Sequence, residues 1–254
     1  RTYFRLKPRE SEVNGFWMCD KGRNTYKHLN QEQRLRFATT PDTKGARKRV
    51  STDEAVAALA TQLKGIAASD VALLVSAQYT CEEYAALFDF FVKKLGVTKV
   101  FQWREPTEKL DDFDGLLYRG DHNPNTFGLA EALGNAGLSK DVKNGFDDLA
   151  RSGAKVVVAL APEVAFQFPS LANQLQRLAE LPFVSLWTTS GAAQQVAGLK
   201  HLVPLKGFAE KRGTFRNYQG KAGELTKPFP AAVDDARDVV EVVTALAEAW
   251  AHAQ

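Results

Sequence analysis

The chain has 254 residues, of which 44 % are hydrophobic and 25 % are charged. This composition is typical of globular proteins, and a chain of this length can bury a substantial core without disulfides or metal ions. The formal net charge of +3 is too small to indicate a nucleic-acid partner. The two cysteines, Cys19 and Cys81, are too few for a disulfide scaffold and favour a reducing compartment. No apolar run approaches the roughly 20 residues that cross a bilayer, so we expect any membrane contact to be made through another subunit.

The first fifty residues differ from the rest because they are polar, charged and weakly periodic. We interpret their basic stretch as a solvated loop, since no aromatic side chains are interleaved for base stacking; it comprises Lys44, Arg47, Lys48 and Arg49. Residues 1–4 contain neither an initiator methionine nor the start of a signal sequence, so we expect a piece of a longer polypeptide. The pattern predicts two modules, a small one at 1–50 and a larger one at 51–254.

After Val50 the apolar residues become periodic. Ser51 and Glu54 form a capping box that predicts a helix, and the continuous apolar run at 71–75 predicts a strand that is buried on both faces. A second capping box, Thr80 with Glu83, predicts the start of the next helix. We expect that helix to end at Gly96 and a further strand to cover 97–103.

The alternation continues to the end of the chain. It predicts strands at 116–118, 155–160 and 183–187, and helices at 141–152, 170–180 and 235–250. Strands that alternate with helices indicate an α/β fold, with a mostly parallel sheet that carries helices on both faces.

The residues provide little recognisable chemistry. The predicted strand at 71–75 is followed by Ser76-Ala77-Gln78-Tyr79-Thr80, which lacks the glycines of a dinucleotide-binding turn, and no phosphate-binding loop occurs elsewhere. Cys81 lies in the first turn of its predicted helix, where backbone amides can lower a thiol pKa, and His122 follows another predicted strand. A thiol enzyme that uses Cys81 and His122 is therefore one hypothesis. The simpler interpretation is a packing residue and a polar loop residue.

Four segments carry the most specific patterns, and they occur in the order 13–23, 50–55, 121–129 and 208–221. In that order they resemble segments of the molybdopterin oxidoreductase superfamily, which includes the large iron–sulfur subunit of bacterial respiratory complex I. Residues 13–23 (VNGFWMCDKGR) resemble the segment that joins the iron–sulfur part to the α/β part. Residues 50–55 and 121–129 resemble later family segments, with Thr52 where tryptophan is usual. Residues 208–221 (FAEKRGTFRNYQGK) resemble the signature Ala-Glu-x-x-Gly-Thr-Phe-x-Asn-x-Glu-Gly-Arg, from which Gln219 and Lys221 depart. Gly213 and Gly220 of this stretch suit positive-φ positions.

The resemblance implies that Cys19 is the fourth ligand of a [4Fe-4S] cluster whose other three cysteines lie upstream of Arg1. It also implies that Lys21 is a charged structural contact near Cys19. Little is inserted between the first strand–helix unit and residues 121–129, so a site for two pterin nucleotides hardly fits. We therefore expect the large iron–sulfur subunit of NADH:quinone oxidoreductase, with an α/β scaffold that has no catalytic residues and no molybdopterin.

The resemblance further implies a location and partners. We expect a peripheral protein on the cytoplasmic side of the bacterial inner membrane that contacts other hydrophilic-arm subunits of complex I, without nucleic acid and without membrane insertion. Besides the thiol enzyme, one alternative stays open. It is a piece of a molybdopterin-dependent oxidoreductase of the formate dehydrogenase type or of a hydrogenase-linked enzyme.

Overall fold

The computed structural model describes residues 2–12, 15–106, 109, 111–115, 118–139, 145–163, 168–226 and 228–253. Within these ranges the strands are β1 (Ala38–Pro41), β2 (Arg47–Val50), β3 (Val71–Ser76), β4 (Lys99–Trp103), β5 (Val156–Leu160), β6 (Val184–Thr188), β7 (His201–Pro204), β8 (Gly213–Arg216) and β9 (Ala222–Leu225). The α-helices are α1 (Asp20–Asn24), α2 (Thr52–Lys64), α3 (Cys81–Phe88), α4 (Thr126–Asn135), α5 (Phe146–Arg151), α6 (Leu171–Leu178) and α7 (Val239–His252).

Seven strands form one sheet in the order β2-β1-β7-β6-β5-β3-β4. Neighbours among β3 to β7 are parallel, whereas β1 is antiparallel to both β7 and β2. The predicted α/β fold with a mostly parallel sheet is therefore confirmed. Strands β8 and β9 form a separate antiparallel hairpin.

The central strands are buried on both faces, as their apolar runs predict. Alternate residues of β3 divide between two cores: Leu73 and Val75 pack with α2, α3, α4 and α7, whereas Ala72 and Leu74 pack with α5 and α6. Burying one Val or Leu side chain stabilises the fold by about 1.5–3 kcal/mol, so these two apolar layers hold the sheet between its helices.

Helix starts follow the predicted caps. Both capping boxes are present, with Ser51 before α2 and Thr80 before α3. Helix α7 begins at Val239 rather than at the predicted residue 235, because Asp235 accepts a hydrogen bond from the amide of Thr52 instead (2.7 Å). The residue that caps α7 is Asp238, paired with Glu241 three residues later in a third capping box.

The predicted end of the second helix at Gly96 is confirmed, and this glycine has a φ of +78°. Between α3 and Gly96 the helix widens into a π-helical segment, Asp89–Lys94. Phe90 and Phe91 are both buried in this segment, and their ring centroids lie 5.0 Å apart. The wider turn was not predicted, because an apolar stripe of helical period does not distinguish it from an ordinary helix.

The interpretation of the basic stretch as a loop is wrong for three of its four residues, Arg47, Lys48 and Arg49, which lie in the edge strand β2. The guanidinium of Arg47 donates to the carbonyl oxygens of Gln194 (2.8 Å), Val196 and Leu199, which lie far along the chain. The sheet therefore includes residues that precede the predicted junction at residue 50.

The remaining predictions differ in outcome. The strands predicted at 155–160 and 183–187 and the helix at 170–180 correspond to β5, β6 and α6 within one or two residues. The predicted strand 116–118 falls mostly outside the described residues, as does the first part of the helix predicted at 141–152. Within the part of the chain that is described, no helix is both long and apolar enough to cross a membrane.

Candidate functional site at the carboxyl edge of the sheet

The candidate site is the crevice between the carboxyl ends of β3 and β5. These strands are neighbours, but the chain leaves β3 towards β4 at one edge and leaves β5 towards β6 on the opposite side. Open α/β sheets bind their ligands outside the carboxyl ends of the strands at such a reversal of strand order. The residues to consider are therefore 77–80, which follow β3, and 161–163, which follow β5.

Tyr79 spans this crevice. Its side chain is fully buried, and its hydroxyl donates a hydrogen bond to the carbonyl oxygen of Ala161 (2.6 Å). Its amide donates to the hydroxyl of Tyr84 (3.0 Å), and its carbonyl accepts from the side-chain amide of Asn125 (2.8 Å). Burial raises the pKa of Tyr79 well above its ordinary value, so the phenol stays protonated. The phenol thus connects the two strands across the position where a ligand would enter.

A buried charge cluster lies beside Tyr79. The ammonium of Lys211 is 2.8 Å from a carboxylate oxygen of Glu83, forms a second ion pair with Glu163, and lies 4.7 Å from the centroid of the Tyr79 ring. Glu83 also accepts hydrogen bonds from the amides of Thr80 (2.8 Å) and Val239 (3.1 Å). The cluster therefore joins the starts of α3 and α7 to the end of β5.

The protonation states of Lys211 and Glu163 depend on their burial and on the charges beside them, since Lys211 lies between Glu83 and Glu163. Burial raises the pKa of Glu163 to about 7, against the opposing effect of Lys211. Burial alone would lower the pKa of Lys211, but Glu163 and Glu83 outweigh it and raise that pKa. Near neutral pH, Glu163 therefore exchanges a proton while Lys211 stays charged.

A cavity of about 570 Å³ adjoins the cluster, with Glu163 and Arg34 among the residues that line it. Arg34 forms a second buried ion pair with Glu210 (2.9 Å) and donates to the carbonyl of Leu205 (2.6 Å). These contacts of the guanidinium join the segment before β1 to the turn that precedes β8.

The motif at 208–221 forms the hairpin β8–β9 and the turn before it. Glu82 accepts hydrogen bonds from the amide and the hydroxyl of Thr214 (2.8 Å each). Gly213 (φ +148°) lies so close to Thr80 that an added Cβ would come within 2.7 Å of its Cβ. Gly220 (φ +77°) lies against the ring of Phe127 in the same way. The predicted positive φ values of both glycines are confirmed.

Cys19 lies apart from this crevice. It is exposed, and its Sγ accepts a hydrogen bond from the amide of Gly22 (3.3 Å) at the start of α1. Lys21 donates to the hydroxyl of Tyr118 (2.8 Å), which is 2.5 Å from Nε2 of His122. No group of three or more metal-ligating side chains occurs within the described ranges. Cys19 therefore has no neighbouring set of metal-ligating side chains within those ranges.

Cys81 and His122, the residues of the hypothetical thiol enzyme, do not form a pair with each other and have different neighbours. The Cys81 thiol lies 3.8 Å from Oδ1 of Asn125, and His122 bonds to Tyr118. Burial raises the pKa of Cys81 despite its place in the first turn of α3, which does not favour a reactive thiolate. Burial and Lys21 lower the pKa of His122. The two residues thus have separate partners.

A second buried polar group lies inside the sheet, at His201 of β7. Its Nε2 is 2.8 Å from the carbonyl oxygen of Ala55, which can only accept, so Nε2 carries the proton. Nδ1 then accepts from the hydroxyl of Ser185 (3.0 Å), which in turn accepts from the indole of Trp187 (2.8 Å). Burial lowers the pKa of His201 to about 4. This serine–histidine contact is fully buried and has a structural role.

Sequence patterns do not identify Tyr79, Glu163 and Lys211 as a group. They mark Glu83 only as a helix cap, and Lys211 only as a variable position in a motif. The motif places Lys211 next to Glu210, but Glu210 pairs with Arg34, so this neighbour does not reveal the partners of Lys211. Glu163, 48 residues before Lys211, has no local pattern that links it to the others.

No model of a known protein family matches the chain, and no curated protein sequence matches it.

Proposed function

We propose that this chain is the cofactor-free α/β scaffold of the large iron–sulfur subunit of an NADH:quinone oxidoreductase, the respiratory complex I. In this proposal the whole subunit relays electrons from NADH towards quinone through its clusters. The scaffold itself contacts other hydrophilic-arm subunits on the cytoplasmic side of the bacterial inner membrane. The observation that carries the proposal is the crevice between β3 and β5, which the chain's own side chains fill.

The crevice supports the proposal because buried side chains occupy it and because some of these side chains are charged. A nucleotide or pterin bound at the reversal of strand order would need the position that Tyr79 and Lys211 occupy, and both are fully buried. Displacing Lys211 would leave Glu83 and Glu163 buried without a counter-ion, which is strongly unfavourable. A relative that binds a cofactor there would have small or ligand-facing residues instead. The filled crevice thus supports a scaffold rather than a molybdopterin enzyme.

Cys19 supports the part of the proposal that concerns the cluster. An exposed thiol next to the amides of a short helix is accessible to an iron ion held by other cysteines. A [4Fe-4S] cluster requires about four thiolates. The three others would come from a Cys-x-x-Cys-x-x-x-Cys run upstream of Arg1. In this proposal the bonds from Lys21 to Tyr118 and from Tyr118 to His122 hold the cluster-bearing segment against the residues before α4.

The experiment is metal analysis and visible spectroscopy on anaerobically purified protein, both for this chain and for the chain with its natural upstream sequence. We expect iron, sulfide and the brown absorbance of a cluster only in the longer form. Cys19→Ser should remove that signal, whereas Cys81→Ser, the matched control, should leave it unchanged.

Three outcomes would contradict the proposal. One is an upstream sequence without the cysteine run, and another is a longer protein that is metal-free after reconstitution with iron and sulfide. The third is co-purifying molybdenum or tungsten with a pterin, which would favour the formate dehydrogenase type of relative.

A further inference from the structure

The hairpin β8–β9 has two outer edges, and the structure treats them differently. Along β8, the amide of Thr214 donates to Glu82 (2.8 Å) and the amide of Arg216 donates to Oδ1 of Asn125 (2.7 Å). Both amides therefore point away from β9, and side chains of α3 and of the residue before α4 satisfy them. The outer edge of β8 is thus closed.

The register fixes the direction of the backbone groups of β9. Thr214 is opposite Glu224, and Arg216 is opposite Ala222. In an antiparallel pair, residues directly opposite each other point their N–H and C=O groups either both inward or both outward. Because the amides of β8 at these positions point outward, those of Ala222 and Glu224 point outward as well. The intervening pair, Phe215 with Gly223, carries the hydrogen bonds between the strands.

The outer edge of β9 is open. Ala222, Gly223 and Glu224 are all exposed, and the outward amides of Ala222 and Glu224 have no hydrogen-bond partner among the described residues. A Cβ added to Gly223 would meet nothing within 4 Å. An edge with unpaired N–H and C=O groups and small side chains can accept a further strand.

The edge strand β2 of the large sheet shows the contrast. It carries Arg47, Lys48 and Arg49, and charged side chains on an edge strand discourage pairing with another chain. β9 has small residues where β2 has long basic ones. Its only charged residue is Glu224, and the exposed Lys221 directly precedes the strand in the chain. The exposed Arg212 lies at the other end of the hairpin but on the β8 side, directly before Gly213, which pairs with Leu225.

We propose that the outer edge of β9 binds an extended segment of another protein as an added strand, and that this segment carries an acidic residue near each end. Backbone groups of the partner would pair with the outward N–H and C=O groups of Ala222 and Glu224. One acidic residue would lie next to Lys221, and the other would lie at the end of the hairpin where Arg212 precedes β8. This inference is independent of the electron-transfer role, because it depends only on the register and charge of the hairpin.

The test is a titration of the isotope-labelled protein, followed by amide NMR, with a short peptide of alternating valine and threonine and a glutamate at each end. Binding should increase the protection of the Ala222 and Glu224 amides from hydrogen exchange. The amides of Gly223 and Leu225 already face β8 and should change little. Added salt should weaken binding, and the same peptide with lysines at its ends should bind more weakly.

Two proline variants test whether peptide binding depends on the outward N–H groups of β9 rather than on the hairpin as a whole. Ala222→Pro and Glu224→Pro each remove one outward donor and leave the pairing of Phe215 with Gly223 intact, since proline is tolerated where an edge N–H faces solvent. Each should weaken peptide binding roughly fivefold, the effect of one hydrogen bond. Ala222→Thr keeps the donor and is the matched control. Protection of the Gly223 amide reports whether the hairpin is still formed.

The alternating protection pattern of the unsubstituted protein tests the proposal even if a proline variant loses the hairpin. Absence of that pattern at saturating peptide would overturn it. If the lysine-ended peptide binds as tightly as the glutamate-ended peptide, the inference that the partner carries acidic residues is wrong. A concentration-dependent dimer that protects the same amides without peptide would instead identify a second copy of the chain as the occupant.

Discussion

Two of the buried polar sites described above, the Lys211 cluster and the His201 chain, accommodate ionisable side chains away from water in opposite ways. At the crevice, one buried ammonium lies between two acidic side chains and forms an ion pair with each of them. Inside the sheet, the imidazole of His201 stays neutral, and each of its nitrogens has a partner of defined donor or acceptor character. Burial opposes charge in both sites. It raises the pKa of the acid Glu163 and lowers the pKa of the base His201.

The difference determines how each site responds to pH. Between about pH 4.5 and 7, Glu163 holds a proton in the folded chain that it has released in the unfolded chain, so its contribution to stability falls as pH rises. His201 behaves in the opposite way, because below about pH 6.5 the unfolded chain binds a proton that the folded chain excludes down to about pH 4. Between about pH 4.5 and 6.5 the two slopes therefore offset each other.

The largest expected effect is that of Lys211→Met. This change leaves Glu83 and Glu163 buried without their cation, and we expect a loss of about 3–5 kcal/mol in the free energy of unfolding at pH 8. The loss should shrink towards pH 5, where Glu163 is protonated. Urea denaturation at both pH values measures it. Lys206→Met, which removes a more exposed ion pair with Glu241, should cost less than about 1 kcal/mol. An equal loss in both variants would contradict the special role of the cluster.

His201→Gln should reveal how the ionisation of Glu163 makes the free energy of unfolding depend on pH. With the histidine gone, the free energy of unfolding should fall relative to the parent as pH rises from 4.5 to 6.5. The expected change is about 3 kcal/mol over that range. The measurement is a series of denaturation curves across that range. His252→Gln removes an exposed histidine and should follow the parent curve.

Glu163→Gln should reveal how the ionisation of His201 makes the free energy of unfolding depend on pH. This dependence has the opposite sign to that of Glu163. The glutamine keeps an acceptor for Lys211 but cannot ionise, so stability should rise relative to the parent between pH 4.5 and 6.5 by about 3 kcal/mol. At pH 8 the variant should be at least as stable as the parent. Glu32→Gln, an exposed residue beside the same cavity, is the control. If the variant loses stability with rising pH, the assignment of the Glu163 proton is wrong.

Of the four substitutions in buried polar sites, Ser185→Ala should change the free energy of unfolding least. It leaves the indole of Trp187 and Nδ1 of His201 buried without partners, and we expect a loss of about 1–3 kcal/mol that does not depend on pH above 7. Thermal unfolding at pH 8 measures it. Ser152→Ala is a useful comparison, because its hydroxyl bonds locally to Leu149 in a half-buried turn.

Much of the fold could be predicted because its signals are local. Strands β3 and β5 are continuous apolar runs, and the caps at Ser51 and Thr80 specify the first turns of their helices. Strand β7 was missed because His201 and Pro204 occupy two of its four positions, and neither residue is typical of a central strand. Helix α4 was missed because its two glycines, Gly128 and Gly134, obscure the helical pattern.

The candidate site was less predictable because it is assembled from distant segments. Lys211, Glu83 and Glu163 come from three different segments, and each has an ordinary local context. Their meeting depends on the order of the strands, which composition and periodicity do not determine. The same limit applies to Arg47, whose three carbonyl acceptors lie roughly 150 residues later in the chain. A residue pattern reveals a local structural role more readily than a distant partner.

The hairpin β1–β2 has a consequence for how the protein is made. Its strands pair locally, but Thr39 bonds to the carbonyl of Lys200, 161 residues later. A ribosome that adds roughly 5–20 residues per second would need about ten to thirty seconds to supply that partner. During this interval the inner edge of β1 is unpaired, and Pro41, which has no backbone N–H, limits its pairing with another chain. The first strands of the sheet to be synthesised are thus among the last to reach their final place.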